Sequence, residues 1–114
     1  MILLIMLALL ALVLLAILIT RPNVYLLEEN KYRYMEAEDA CRSRYRRGRL
    51  ATLDEIRNAY DKGADWCSAG WTQEMMGAYA SRIERPAHGC KAGVHAKKLP
   101  GQTKLGAYCL TWET

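Results

Sequence analysis

Cys67-Ser68-Ala69-Gly70-Trp71 is the stretch on which the fold turns. A tryptophan so close to a cysteine reads as a core residue beside a covalent staple. Three further cysteines, Cys41, Cys90 and Cys109, share the same part of the 114-residue chain. An even number of cysteines in a short domain behind a hydrophobic leader points to disulfides formed in an oxidising compartment. The closest two, Cys90 and Cys109, lie 19 positions apart, and neither C-x-x-C nor H-x-x-x-H occurs, which argues against zinc. Four cysteines allow three pairings, and spacing alone does not choose among them.

Ahead of this cysteine-bearing part, Met1 to Thr20 carries no charged residue and is almost wholly Leu, Ile, Ala, Val and Met. A helix of that length would span roughly 30 Å, about the thickness of the hydrocarbon layer. Residues 1–20 are therefore read as a transmembrane anchor or a signal peptide, 21–23 as a linker, and 24–114 as one domain. No Lys or Arg opens the segment, and its apolar run exceeds the usual signal core of about 7–15 residues. Cuts after Ala16 or Thr20 would put Leu14 or Leu18 where a small residue is preferred. These features favour an uncleaved anchor over a removed signal. Charge bias argues otherwise, because Arg21, Lys31 and Arg33 follow the segment and would hold that side in the cytoplasm. The cysteines decide for an extracellular or lumenal domain on a single-pass anchor, with secretion as the alternative. The formal net charge of +4 belongs wholly to the part after Thr20.

Within that part, Arg21-Pro22-Asn23 breaks the helix, and Val24 to Leu27 has the β-branched and aromatic character of a short strand. Tyr34, Ala37, Cys41 and Tyr45 recur at helical spacing and predict a helix over about Met35 to Tyr45. Acidic residues crowd its first turns and basic ones its end, as the helix dipole favours. Thr52-Leu53-Asp54-Glu55 is a capping-box pattern opening a second helix to about Lys62, with Gly63 as its C-terminal stop. After Cys67, six glycines with Pro86 and Pro100 cut the chain into short strands and loops. No internal repeat and no low-complexity tract follows Thr20.

Cys67-Ser68-Ala69-Gly70-Trp71 resembles the C-x-A-G-W motif of the Link module, the hyaluronan-binding domain of aggrecan, versican and cartilage link protein. Tyr34-Met35-Glu36-Ala37 before Cys41 resembles the family's aromatic-x-E-A helix start. Arg49-Leu50-Ala51-Thr52 resembles its L-A-T turn, and Ala107-Tyr108-Cys109 its closing x-Y-C. The likeness runs from Val24 to about Leu110. It implies an α+β fold related to C-type lectins: two short helices and two small antiparallel sheets, here preceded by the N-terminal hydrophobic helix. It also implies Cys41–Cys109 and Cys67–Cys90 bridges.

Hyaluronan is a polyanion with apolar sugar faces, so a groove for it needs tyrosine rings for stacking and Lys or Arg for the carboxylates. By resemblance, Tyr79 takes the place of the family's sugar-stacking tyrosine. Lys31 and Tyr32 resemble its basic-aromatic pair before the first helix, two residues closer to that helix than in the family. Lys91 resembles a groove lysine, and Lys97 and Lys98 stand roughly where the family has an aromatic and a Tyr-Gly pair. The alternatives are a half-buried strand aromatic for Tyr79 and an ordinary edge strand for Lys31 and Tyr32. A second basic feature, Arg42, Arg44, Arg46, Arg47 and Arg49, is a candidate heparin patch, since Arg pairs bidentately with sulfate. Its plainer reading is a solvated face at a helix C-terminus.

Catalysis has no candidate residues. His88 and His95 have no nucleophile in view, and the cysteines are committed to bridges. No enzyme activity, no cofactor and no metal are expected, and nucleic acid is excluded by compartment. The resemblance thus implies a membrane-tethered or secreted module that binds hyaluronan or another anionic glycosaminoglycan in cell adhesion or matrix contact. The alternative is the same fold used as a protein-binding adhesion or decoy module.

Overall fold

A computed structural model describes residues 1–19 and 22–112, with the side chains of 17–19 left aside; Thr20, Arg21, Glu113 and Thr114 lie outside the described residues. The elements are α1 (Ile2–Ile19), β1 (Asn23–Tyr32), α2 (Tyr34–Arg44), β2 (Arg49–Leu50), α3 (Leu53–Asp61), β3 (Trp66–Trp71), β4 (Met76–Ser81), β5 (Gly93–Lys98) and β6 (Leu105–Thr111). The expected linker at 21–23 ends early, because Asn23 already pairs with Thr111 in the sheet.

α2 and α3 form where the sequence predicts them. Ala37 and Cys41 on the α2 stripe are fully buried, with Tyr34 and Tyr45 half-buried beside them. At the start of α3, Glu55 N–H donates to the Thr52 hydroxyl at 3.2 Å, and the Glu55 carboxylate accepts from Thr52 N–H at 2.9 Å. That satisfies two of the backbone donors a helix start leaves open. A third, Leu53 N–H, goes to the Glu74 carboxylate at 3.1 Å. Gly63, at φ +113°, adopts the left-handed turn that stops the helix.

The strands differ from expectation in two respects. They form one mixed sheet of six, not two antiparallel sheets, in the order β1-β6-β3-β4-β5 with β2 on β6. A short parallel pairing of β3 with β6, Gly70 to Gly106 and Trp71 to Ala107, joins the halves. Glycine is needed there: a Cβ on Gly70 would come within 2.7 Å of the Tyr108 ring. β1 is also longer than the expected Val24–Leu27. Between the Leu27–Ala107 and Tyr32–Leu105 pairs it bulges outward, with Glu28 and Asn30 in the left-handed region at φ 50° and 54°. Polar residues in a bulge break the alternation that marks a strand, so the sequence hid this half of β1.

Helices cover both faces of the sheet. On the α2 face, Ala37, Cys41, Leu50, Trp71, Leu105, Ala107 and Cys109 make one core; on the α3 face, Ala51, Ile56, Ala78, Ala80, Tyr108 and Leu110 make the other. β6 is buried along its whole length. The bridges Cys41–Cys109 and Cys67–Cys90 close as expected, with Cα–Cα distances of 5.4 and 5.8 Å.

The described side chains of α1, from Ile2 to Ala16, are exposed and apolar on every side. Among the described residues no helix is long and apolar enough to cross a membrane. The expected spanning segment, residues 1–20, runs partly outside them: α1, Ile2–Ile19, accounts for roughly 27 Å of helix against a hydrocarbon layer of about 30 Å, and Thr20 lies outside the described residues.

Candidate functional site

Trp71 ties the core to the surface. Its indole N–H donates to Tyr32 O at 2.9 Å and to Thr103 O at 3.2 Å, while Tyr34 meets the ring edge-on at 5.5 Å. The motif tryptophan thereby fixes the backbone of Tyr32, one of the candidate ligand residues.

The sheet register sets a row of side chains on the α2 face. Tyr32 lies opposite Leu105, and Tyr79 lies opposite His95. Leu105 and Ala69 each precede one member of the Gly106–Gly70 pair, and Tyr79 follows Ala78, the partner of Gly70 on β4. Tyr32, Leu105, Ala69, Tyr79 and His95 therefore stand side by side across five strands. With strands about 4.8 Å apart, Tyr32 and Tyr79 are roughly 14 Å from each other. α2 and Leu99 cover the nearby part of this face, whereas Tyr79 and His95 are half-exposed toward the β5 edge.

Tyr79 is held on two sides. Its hydroxyl accepts from Lys91 N–H at 3.1 Å, and its ring lies 5.2 Å from that of His95, tilted by 33°. His95 Nε2 is 2.9 Å from Ala92 O; a carbonyl only accepts, so this nitrogen carries the proton. Lys97, opposite Gly77, is exposed on the Tyr79 face; Lys98, opposite Met76, alternates to the other. Lys31 is less available. Its ammonium pairs with Glu28 at 2.8 Å and sits 5.7 Å from the Tyr32 ring centre, and the hydrogen bond it donates to Glu28 raises its pKa.

The structure thus unites Tyr79, Lys91 and Lys97 around one spot, sets Lys31 and Tyr32 at the far end of the row, and leaves Lys98 on the opposite face. His95 was not foreseen as a site residue. A lone histidine offers no chemistry by itself in a sequence, and only the β4–β5 register puts its ring on Tyr79. A polar pocket of about 580 Å³ was also unforeseen; the β1 bulge (Glu29, Asn30) faces Asp65, Ser68, Arg85 and His88 across it. Asp65 is pinned by Arg85 at 2.7 Å and by Arg82 N–H at 3.0 Å. Residues 20 positions apart in a loop-rich stretch give no local signal of such a pair.

The five arginines do not form one free basic face. Arg42 pairs with Glu38 at 3.2 Å and Asp39 at 3.6 Å. Arg49 grips Glu55 bidentately at 2.9 and 2.8 Å. Burial raises the Glu55 pKa, but the bonds from Arg49 and Thr52 outweigh it, and the net shift is downward. Arg44, Arg46 and Arg47 are exposed, with the Arg44 guanidinium 4.9 Å over Tyr45.

An α+β domain with a helix on each face of one sheet, two bridges and an open aromatic edge defines a small disulfide-stapled recognition module. Residues 23–110 match the family described as the extracellular link domain, which is most of the chain. The protein belongs to that family. It is accordingly an extracellular, non-catalytic binding domain.

Proposed function

We propose that the domain binds hyaluronan along the Tyr32–Tyr79–His95 row, with Lys91 and Lys97 facing the sugar carboxylates. The observation that carries this is the half-exposed Tyr79 ring, backed by His95 and fixed through its hydroxyl by Lys91 N–H. A pre-set ring loses little freedom on stacking against a sugar face, which favours affinity. Few rings and several lysines imply modest affinity that weakens with salt. Residues from Asn23 onward act as one domain in this reading, joined through 21–22 to residues 1–20 as a membrane tether. A helix apolar on every side has no stable place in water and needs lipid or a protein core around it. The resulting role is adhesion or matrix contact at a membrane surface.

Titrating hyaluronan oligosaccharides into the full chain in lipid nanodiscs tests the glycan reading. Tyr79→Ala should cost about 1–2 kcal/mol, by analogy with base stacking on aromatic side chains. That is roughly a 5- to 30-fold loss of affinity. Unchanged affinity in the variant would remove Tyr79 from the site. The Glu28 pairing of Lys31 favours a protein partner instead, because it leaves less free positive charge for a polyanion. Absence of any glycosaminoglycan binding by the parent would make that the better account.

A further inference from the structure

The end of the domain nearest the hydrophobic helix is chemically unlike the rest of its surface. Only Thr20, Arg21 and Pro22 separate Ile19, the end of α1, from Asn23, the start of β1. Four residue steps reach at most roughly 14 Å. Asn23 pairs with Thr111, so Trp112 leaves the sheet at this same end, and it is 49% exposed. The turn after α2 is fastened here too, since the Thr111 hydroxyl donates to Arg46 O at 2.8 Å. Beside it, Tyr25 and Tyr45 stack with centroids 5.4 Å apart, and Arg44 lies over Tyr45. Three exposed arginines, Arg44, Arg46 and Arg47, thus share one end of the fold with Trp112 and a tyrosine pair.

We propose that this end is a membrane-contact collar for an anionic phospholipid surface, an inference that rests on reading residues 1–20 as a tether. Trp and Tyr are amphipathic rings that settle at headgroup depth. Arginines at the same level pair with lipid phosphates, each adding to the attraction of an anionic surface. A connection of three residues cannot carry the domain far from the bilayer, so this end meets the headgroups whenever α1 is in lipid. β6 runs from the Tyr32–Leu105 pair to Thr111, about 20 Å at strand rise. The collar therefore turns the Tyr32–Tyr79–His95 row away from the membrane, toward an extracellular polymer. The Arg44–Arg47 turn then serves lipid rather than a sulfated glycan.

The test uses the full chain in vesicles of phosphatidylcholine, with and without phosphatidylglycerol, each carrying a lipid with a nitroxide on its headgroup. Trp71 is fully buried, and the half-buried Trp66 starts β3 at the end of the sheet opposite to that of Thr111, which leaves Trp112 as the tryptophan within reach of a headgroup quencher. The nitroxide should quench fluorescence severalfold more with phosphatidylglycerol present, less at high salt, and hardly at all in Trp112→Phe. Arg44→Gln, Arg46→Gln and Arg47→Gln together should lower the quenching severalfold; the lipid and salt dependence of the parent stands as evidence should that variant misfold. If the chain resists carbonate extraction yet its quenching ignores phosphatidylglycerol and salt, the collar is refuted and the tether stands. Extraction by carbonate would remove tether and collar together. Loss of binding to soluble heparin in the triple variant, with lipid quenching unchanged, would assign the arginines to a sulfated glycosaminoglycan and overturn the proposal.

Discussion

The middle of the sheet and its β4–β5 edge are built on opposite terms. Around β6 everything is closed: Trp71, Tyr108, Cys41 and Cys109 are fully buried, and the Tyr108 hydroxyl donates to Ser68 O at 2.6 Å. Burial there raises the Tyr108 pKa, with the Glu29 charge adding to the shift. At the edge, Tyr79 and His95 are half-exposed, Lys97 is exposed, and a single bridge, Cys67–Cys90, braces the loop. The residues that define the family belong mostly to the closed middle, whereas those proposed to meet ligand, Tyr32 on β1 apart, belong to the edge. A chain can therefore keep the first set and vary the second, and the fold does not by itself guarantee the ligand.

The sharpest contrast between the two regions is in stability. Cys41–Cys109 closes a sequence separation of 68 residues and Cys67–Cys90 one of 23. Loop-closure entropy gives about 4 and about 3 kcal/mol respectively. Denaturant unfolding of Cys41→Ala/Cys109→Ala should show the larger loss, increased further because that pair is wholly buried. A larger loss from the Cys67–Cys90 pair would place the stabilising centre at the edge instead. Next in size, Trp71→Phe leaves the carbonyls of Tyr32 and Thr103 without their shared donor and should cost about 1–3 kcal/mol. It should also weaken hyaluronan binding indirectly, by loosening Tyr32. His95→Ala belongs to the edge and should do the reverse, lowering affinity severalfold while the unfolding midpoint barely moves.

The closed region was the legible one. The Ala37–Cys41 stripe, the Thr52–Glu55 cap and Trp71 in the core all follow from helical spacing or from one short motif, because each depends on neighbours in sequence. What escaped depends on register between distant strands. The β1 bulge at Glu28–Asn30, the parallel Gly70–Gly106 contact, the Tyr79–His95 stack and the Asp65–Arg85 pair are all long-range pairings, and local pattern does not carry them.

A smaller effect separates the regions by pH. The Glu55 pKa is lowered in the fold, so its contribution is complete above its unfolded value of about 4.3 and is lost as pH falls through the lower folded value. The pair is partly exposed, with side-chain exposures of 40% for Arg49 and 25% for Glu55, so screening should keep the effect under about 1 kcal/mol. Unfolding midpoints of the parent should decline in that acid window. Arg49→Met should flatten the decline; an equal decline in the variant would detach Glu55 from acid stability. Smallest of all, Lys91→Ala or Lys97→Ala should weaken hyaluronan binding at low salt and hardly at high salt, since exposed charges are screened.

The central claim is that ligand meets the edge row and not the arginine turn. Amide NMR shifts of the full chain in nanodiscs, followed as hyaluronan oligosaccharide is added, test it most directly. Tyr79, Lys91 and His95 should move most and Tyr32 less, with Arg44 to Arg47 unmoved. Shifts concentrated at Arg44 to Arg47, with Tyr79 and His95 silent, would contradict it.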